Sequence, residues 1–224
     1  MWGDNISIFN GKPGIHPKHV IITDDPLRAK MLAAHHLEYA RPVHDSDDEL
    51  VWFGSYAQTE IALASAGFSS GAVADYISSA AQYGVTDILF IGECTSASDT
   101  VPLRTVVLAD GADSALMRNA QLAAAQFNIP YVVQIVSEFN RTPQDIRGTA
   151  DAITDAFYAT PMVSGIADTT TNAFYAKATD SGIAALAILT VTHHTGTGER
   201  MEDHERRSRL YNAARLAFET CALL

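Results

Sequence analysis

Short apolar runs alternate along the chain with longer stretches of mixed polarity. The apolar runs are rich in Val and Ile, and they predict strands at Val20 to Thr23, Val51 to Tyr56, Glu60 to Ser65, Ile88 to Gly92, Thr105 to Ala109, Tyr131 to Val136 and Ala185 to Val191. The intervening segments predict helices at Pro26 to His36, Ala72 to Tyr83, Asp113 to Phe127, Thr142 to Ala159, Thr170 to Ser181 and Met201 to Leu223. The alternation predicts an α/β protein whose sheet is covered by helices on both faces.

The connection Ala57-Gln58-Thr59 joins two of the predicted strands and is too short for a crossover helix. These strands therefore form a hairpin, and the sheet must be mixed rather than wholly parallel. A length of 224 residues with 47% hydrophobic residues suits one domain, residues 1–224.

The charge and the cysteines exclude several classes of protein. A net charge of −11 without a basic stripe disfavours a nucleic-acid partner, which needs clustered Lys and Arg. No apolar run is long enough to span a membrane and no signal peptide is recognisable, so we expect a cytoplasmic protein. Cys94 and Cys221 are far apart and belong to no C-x-x-C pair, so we expect reduced thiols. We also expect no metal and no cofactor, since the chain has no Walker loop, G-x-S-x-G or H-E-x-x-H motif.

Four segments carry a family resemblance: Asp24-Asp25-Pro26-Leu27-Arg28 after the first strand, Phe53-Gly54-Ser55-Tyr56, the run from Tyr83 to Gly92, and Asp168 to Leu223. Together they closely resemble the bacterial hexameric purine nucleoside phosphorylases, within the nucleoside phosphorylase and nucleosidase superfamily. The resemblance implies a three-layer fold with a central mixed sheet flanked by helices. It also implies a small-molecule substrate and a homo-oligomer, a dimer or a hexamer, because the pockets of the family form at dimer interfaces.

The phosphate-binding positions of the family are largely substituted here. Arg28 matches the loop arginine, but Asp24 stands where that loop has glycine. Phe90 occupies the place of a second arginine and Glu93 that of a serine, with Thr95 following in place of a glycine.

A further family arginine, lent by a neighbouring subunit, aligns with Asp47. Asp24, Asp47 and Glu93 would therefore surround one remaining guanidinium, that of Arg28, and repel a phosphate dianion. We infer from the sequence that phosphate binding is lost. The alternative for Arg28 is a structural ion pair.

The sugar-binding Glu-Met-Glu of the family aligns with Asp168-Thr169-Thr170. Thr170 can still hydrogen-bond a substrate, whereas Asp168 would also make an ordinary helix cap. Phe68 lies in a glycine-flanked turn that occupies the substrate-side loop of the family, so we expect it to line the pocket.

His193 aligns with the aspartate that protonates the purine ring, and His194 keeps the adjacent histidine. Imidazoles can do acid or base work near neutral pH, although two satisfied imidazoles at a strand end are an open alternative. A metal site lacks a third ligand at diagnostic spacing. Arg206 aligns with the arginine that assists leaving-group protonation, although Glu205-Arg206-Arg207 could equally be a solvated charge run.

Three functions are compatible with these residues. The first is a small-molecule enzyme repurposed for a phosphate-independent reaction, namely hydrolysis, elimination, isomerisation or cyclisation of a specialised substrate, which a biosynthetic role would suit. In it His193, Glu93, Asp24 and Arg28 supply acid, base or electrostatic groups. The second is a non-catalytic relative that binds a nucleobase, a nucleoside or a partner subunit. The third is a purine nucleoside phosphorylase whose ligands lie at other positions.

Overall fold

The computed structural model describes residues 16–45, 50–65, 70–98, 100–138, 166–168, 170–208 and 210–224. Its strands are β1 (His19–Thr23), β2 (Glu38–Asp45), β3 (Leu50–Tyr56), β4 (Thr59–Ser65), β5 (Asp87–Ser96), β6 (Val106–Ala109), β7 (Tyr131–Gln134), β8 (Ser137–Glu138), β9 (Ile166–Asp168) and β10 (Ala184–His194). Its helices are α1 (Pro26–His36), α2 (Ser70–Gln82), α3 (Ser114–Phe127), α4 (Thr171–Asp180), α5 (Asp203–Ser208) and α6 (Tyr211–Ala222).

The strands form one mixed sheet in the order β2-β3-β4-β1-β5-β10-β6-β7, with β9 beside β5 and β8 beside β9. Strands β4, β1, β5 and β10 run parallel to one another. β3 and β4 form the predicted hairpin, and Ala57 and Gln58 both take positive φ in its two-residue loop. The predicted mixed sheet is therefore confirmed.

Two apolar layers cover the sheet, which gives the expected three-layer fold. One face packs against α2 and α4 through side chains such as Ile77 and Phe174. The other face packs against α1, α3 and α6, with Ala33, Leu116 and Phe218 among the buried side chains. Each apolar run of the central strands is buried on both sides, which explains the unbroken Val and Ile runs in the sequence.

Several boundaries differ from the sequence prediction. The single predicted helix from Met201 to Leu223 is wrong, since α5 ends at Ser208 and α6 begins at Tyr211. Strand β2 is absent from the predicted strands. It is an edge strand that contains Pro42, and proline is tolerated at such an edge. The predicted helix from Thr142 to Ala159 lies outside the described residues.

The described part of the chain contains no helix long and apolar enough to cross a membrane. Both cysteines are buried free thiols, and burial raises the pKa of each. Within the same residues, no three His, Cys, Asp or Glu side chains converge as a metal site would require.

One buried hydroxyl joins helix α4 to two strands. The phenol of Tyr175 donates to the Ala109 carbonyl at 2.9 Å and accepts from the Ala187 backbone N–H at 3.0 Å. Burial raises the pKa of Tyr175, so the group stays a neutral phenol that can play both parts.

We predict that Tyr175→Phe lowers the free energy of unfolding by about 1–3 kcal/mol, because it leaves both backbone groups without this partner. Urea denaturation measures the change. Tyr39→Phe is the matched control. Tyr39 is 91% exposed, so the loss of its hydroxyl should change the free energy of unfolding little. Equal effects of the two substitutions would contradict the assignment.

Candidate functional site

The carboxyl ends of the parallel strands bring most of the predicted site residues to one edge of the sheet. Asp24 follows β1 directly, Glu93 lies near the end of β5, and the register pairs Glu93 with Thr190 of β10. His193 and His194 end β10 beside Thr95 and Ser96 of β5. Ligand sites of open α/β sheets form at such carboxyl ends.

The guanidinium of Arg28 is held between two carboxylates. Its Nη1 lies 2.5 Å from Asp24 Oδ1, and its Nη2 lies 2.5 Å from Glu93 Oε1. Nη1 also donates to the Thr23 hydroxyl at 3.3 Å. The Arg28 side chain is only 3% exposed, and both of its terminal nitrogens are paired with carboxylates of the protein. Asp24 and Glu93 thus converge on Arg28. The sequence suggested that three carboxylates, those of Asp24, Asp47 and Glu93, would surround this guanidinium.

A second arginine completes this cluster. Arg206 Nε lies 2.9 Å from Glu93 Oε2, and the Arg206 carbonyl accepts from Arg28 Nη2 at 3.4 Å. Arg206 also pairs with the exposed Asp203 at 3.4 Å. The charges of Arg28 and Arg206 are therefore balanced by the carboxylates of Asp24 and Glu93, which we call the arginine–carboxylate cluster.

Burial is the largest influence on Asp24. It raises the pKa of this carboxyl; Arg28 opposes the rise, and the negative charge of Glu93 adds to it. The Asp24 side chain nevertheless keeps 24% of its surface exposed, so solvent reaches it.

The first turn of α1 is already capped. Asp25 Oδ1 accepts from the backbone N–H groups of Leu27 at 2.8 Å and Arg28 at 3.4 Å. Pro26 at the first helical position donates nothing. Backbone donors that an anion would use at a helix N-terminus are thus occupied by Asp25, a role that the sequence signal Asp-Pro could have revealed.

Phe90 lies on the face of β5 opposite Glu93. It belongs to the layer packed by α2 and α4, and its ring centroid lies 5.7 Å from that of Phe174. A Cβ at Gly92 would come within 2.6 Å of the Phe90 ring, so the ring folds over the glycine. The position where the family resemblance expects an arginine is therefore an apolar core position.

Asp168 forms the cap that the sequence left open beside a substrate role. Its carboxylate accepts from the backbone N–H groups of Thr170 and Thr171, both at 2.9 Å, and from the Thr171 hydroxyl. Burial raises the pKa of Asp168, and these hydrogen bonds oppose the rise. Thr170 is buried at the start of α4, and its carbonyl accepts from Phe174 N–H. Contact of Asp168 or Thr170 with a substrate stays a prediction.

His194 is fixed on both sides by the backbone. Its Nδ1 accepts from Thr197 N–H at 3.1 Å, so Nε2 carries the hydrogen and donates to the Ser98 carbonyl at 3.0 Å. Protonation of Nδ1 would break the first contact. This geometry favours a structural role for His194, and its catalytic role stays a prediction.

His193 is 3% exposed, and its backbone pairs with Arg200. Burial, helped by the charge of Arg200 and by His194, lowers the pKa of His193 to about 4. The imidazole is thus neutral at pH 7, and it is better suited to form a hydrogen bond as a neutral group than to act as a general acid.

One ion pair had no signal in the sequence. Arg104 Nε and Nη2 donate to the two oxygens of Glu205 at 2.6 and 2.8 Å. Arg104 has φ of 70°, which turns it towards α5 from the loop before β6. The pair anchors α5, the helix that carries Arg206. Asp47 and Phe68 lie outside the described residues, so their roles in the site stay predictions.

Comparison with known proteins agrees with the fold. No protein-family model matches the chain. The DeoD-type 1 purine nucleoside phosphorylase of Shewanella oneidensis is 30% identical over 227 residues, covering 95% of this chain and 96% of the relative. A DeoD-type 2 purine nucleoside phosphorylase of Vibrio parahaemolyticus is also 30% identical, over 230 residues, with the same coverage. The crystal structure of purine nucleoside phosphorylase from Toxoplasma gondii in complex with immucillin-H is similar in fold, with a TM-score of 0.80 over 100% of this chain and 98% of that one at 17% identity.

We predict that His193 lowers the stability of the protein in mild acid. Its folded pKa of about 4 lies below the 6.5 of an unperturbed histidine, so the unfolded chain binds a proton in this interval that the folded chain does not. The free energy of unfolding should therefore fall as the pH decreases from 6.5 to about 4.

His193→Gln should flatten this dependence, as measured by denaturant titrations across the pH range. His35→Gln is the control, because His35 is exposed on α1 and should leave the slope in place. An unchanged slope in His193→Gln would show that His193 is not the buried neutral group.

Proposed function

Because this chain belongs to the nucleoside phosphorylase superfamily, we propose that it acts on a nucleoside-like small molecule at the strand-end site, with water in place of phosphate. The reaction is hydrolysis of the bond between a sugar carbon and the leaving base. The observation that carries this proposal is the engagement of Arg28 by Asp24 and Glu93, at 2.5 Å each.

The cations and backbone donors that a phosphate would need are already paired in this site. A phosphate dianion away from bulk water needs unpaired cations or backbone donors. In the arginine–carboxylate cluster, Arg28 and Arg206 are paired with carboxylates, and the first N–H groups of α1 are paired with Asp25. An arriving dianion would have to displace Glu93 or Asp24 and would meet their charges at short range.

In the proposed reaction, water is the nucleophile in place of phosphate, and a carboxylate of the cluster activates it. Asp24 is partly exposed and has a raised pKa, which suits a group that accepts a proton from water. The water oxygen forms a bond to the sugar carbon, and the bond to the base nitrogen breaks with its electron pair on the base. Asp24 takes the proton of the water and returns it to the leaving nitrogen through solvent.

The other residues have supporting roles in this proposal. Arg28 and Arg206 hold the Glu93 side chain beside the attacked carbon, where a carboxylate stabilises developing positive charge on the sugar. Neutral His193 accepts a hydrogen bond from the substrate. Asp47 from a neighbouring subunit and Phe68 complete the pocket, which makes a homo-oligomer part of the proposal.

A second candidate is a purine nucleoside phosphorylase, in keeping with the names of the curated relatives and their similarity along 95% of this chain. In that case, phosphate must open the cluster and take Arg28 from its carboxylates. The two functions differ in whether turnover requires phosphate.

We predict base release from purine nucleosides at equal rates with and without phosphate. Asp24→Asn should lower the rate by about 100-fold or more, because the proton acceptor is lost while the shape is kept. Chromatography of the products from inosine, adenosine and guanosine measures the rate. Asp75→Asn, an exposed site on α2, is the control. Release that requires phosphate would establish the phosphorylase instead, and no release under either condition would contradict both reactions.

We also predict that Glu93→Ser creates a phosphate site. The substitution releases one terminal nitrogen of Arg28 and the Nε of Arg206 from Glu93, and it removes a negative charge. Calorimetric titration with inorganic phosphate should then show saturable binding that the parent protein lacks.

Glu60→Ser is the matched control, because Glu60 is exposed on β4. Phosphate binding by the parent protein, or none by Glu93→Ser, would show that Glu93 does not close this site.

A further inference from the structure

A groove beside the strand-end site lies between α1 and α6 and reaches the end of β3. We call it the α1–α6 groove; Met31, His36, Tyr56, Tyr211 and Arg215 are among its lining residues. Its cavity volume is about 520 Å³. Pockets for small molecules commonly measure roughly 300–1,000 Å³, so the groove has room for one.

Aromatic side chains form the floor and sides of the groove. The ring of His36 stacks on Phe218, with centroids 4.6 Å apart and an interplanar angle of 15°. The rings of Tyr56 and Tyr211 each lie 6.3 Å from His36. Tyr211 is 58% exposed, so a large part of its ring has no covering from the described residues. Burial lowers the pKa of His36, which keeps this ring a neutral aromatic surface at pH 7.

The lining is basic, although the chain carries a net charge of −11. Its ionisable side chains other than tyrosine are Arg28, His35, His36 and Arg215, and no Asp or Glu of the described residues lines it. Glu219 of α6 lies behind the lining: it accepts from the Tyr56 hydroxyl at 2.7 Å and lies 3.9 Å from Arg215 Nε, so it balances part of the charge of Arg215.

Arg215 is positioned to receive an anion, whereas the terminal nitrogens of Arg28 are already paired with Asp24 and Glu93. The guanidinium of Arg215 lies 4.2 Å over the Phe127 ring, which holds it in place, and its side chain is still 36% exposed. Arg28 borders both the groove and the arginine–carboxylate cluster, and its Nε is buried without a hydrogen-bond partner among the described residues. A buried donor of this kind is stabilised when a ligand supplies the acceptor.

We propose that the α1–α6 groove binds a small aromatic anion, with its ring against His36 and Tyr211 and its acidic group at Arg215. Aromatic faces and a fixed guanidinium together select a planar ring that carries a carboxylate or a similar group. The site is distinct from the proposed hydrolytic site, and its occupant is a free small molecule.

Calorimetric titration of the full chain with 2-naphthoate tests the proposal. We expect saturable binding, at least about tenfold tighter than that of the neutral 2-naphthamide, because the amide cannot form the charge-assisted pair. Arg215→Gln should weaken 2-naphthoate binding about tenfold by the same reasoning. Arg118→Gln, which makes the same change on the exposed surface of α3, should leave binding unchanged.

Tyr211→Ala is the second variant, and it should weaken both naphthalene ligands because it removes the exposed ring. Equal affinity for the acid and the amide, equal effects of Arg215→Gln and Arg118→Gln, or no saturable binding at millimolar concentration would each overturn the proposal. A change of oligomeric state in Tyr211→Ala with 2-naphthoate binding unaltered would also overturn it, since it would make the groove a contact between copies of the chain.

Discussion

The buried guanidinium of Arg28 is the constraint around which the strand-end site is arranged. A cation with 3% exposure must be compensated inside the protein, because its transfer from water without partners is costly. Asp24 after β1 and Glu93 in β5 supply the compensation from neighbouring strands, and Arg206 neutralises what remains on Glu93. The cluster thereby ties α1, two central strands and α5 into one electrostatic unit. A change at any of its four charged groups must alter the protonation or the position of the others.

This arrangement separates the fold from the chemistry. The described residues have the superfamily fold, while Arg28 and Arg206 are paired with carboxylates and position 90 holds an apolar core side chain. Arg28 itself is kept, yet its function has changed from a free anion ligand to the centre of an internal pair in our proposal. In our proposal, a retained motif residue is a poor indicator of a retained activity when its neutral neighbours have become acidic. Charge balance around the residue is the better guide.

The sequence predicted much of the fold because most central strands are buried on both faces and read as continuous apolar runs. The family resemblance also suggested the approach of Asp24 and Glu93 to Arg28, and in the structure these residues meet because neighbouring parallel strands end at one edge of the sheet. The sequence prediction missed β2, an edge strand that contains Pro42, and the break between Ser208 and Tyr211, where no Pro or Gly marks the end of α5. The hydrogen bonds of His194 and the Arg104–Glu205 pair depend on loops distant in sequence, and no local pattern encodes them.

The ring of Phe90 over Gly92 bears on how such a protein could have diverged. A guanidinium at position 90, where the family resemblance expects an arginine, would have to enter the layer that contains Phe174, and it could be accommodated only together with a repacked neighbourhood. Glu93 faces the other layer of the sheet and can change without that repacking. The two positions therefore differ in what a substitution would disturb: a change at position 93 would alter the charge balance of the arginine–carboxylate cluster, whereas a change at position 90 would alter the packing of the apolar core.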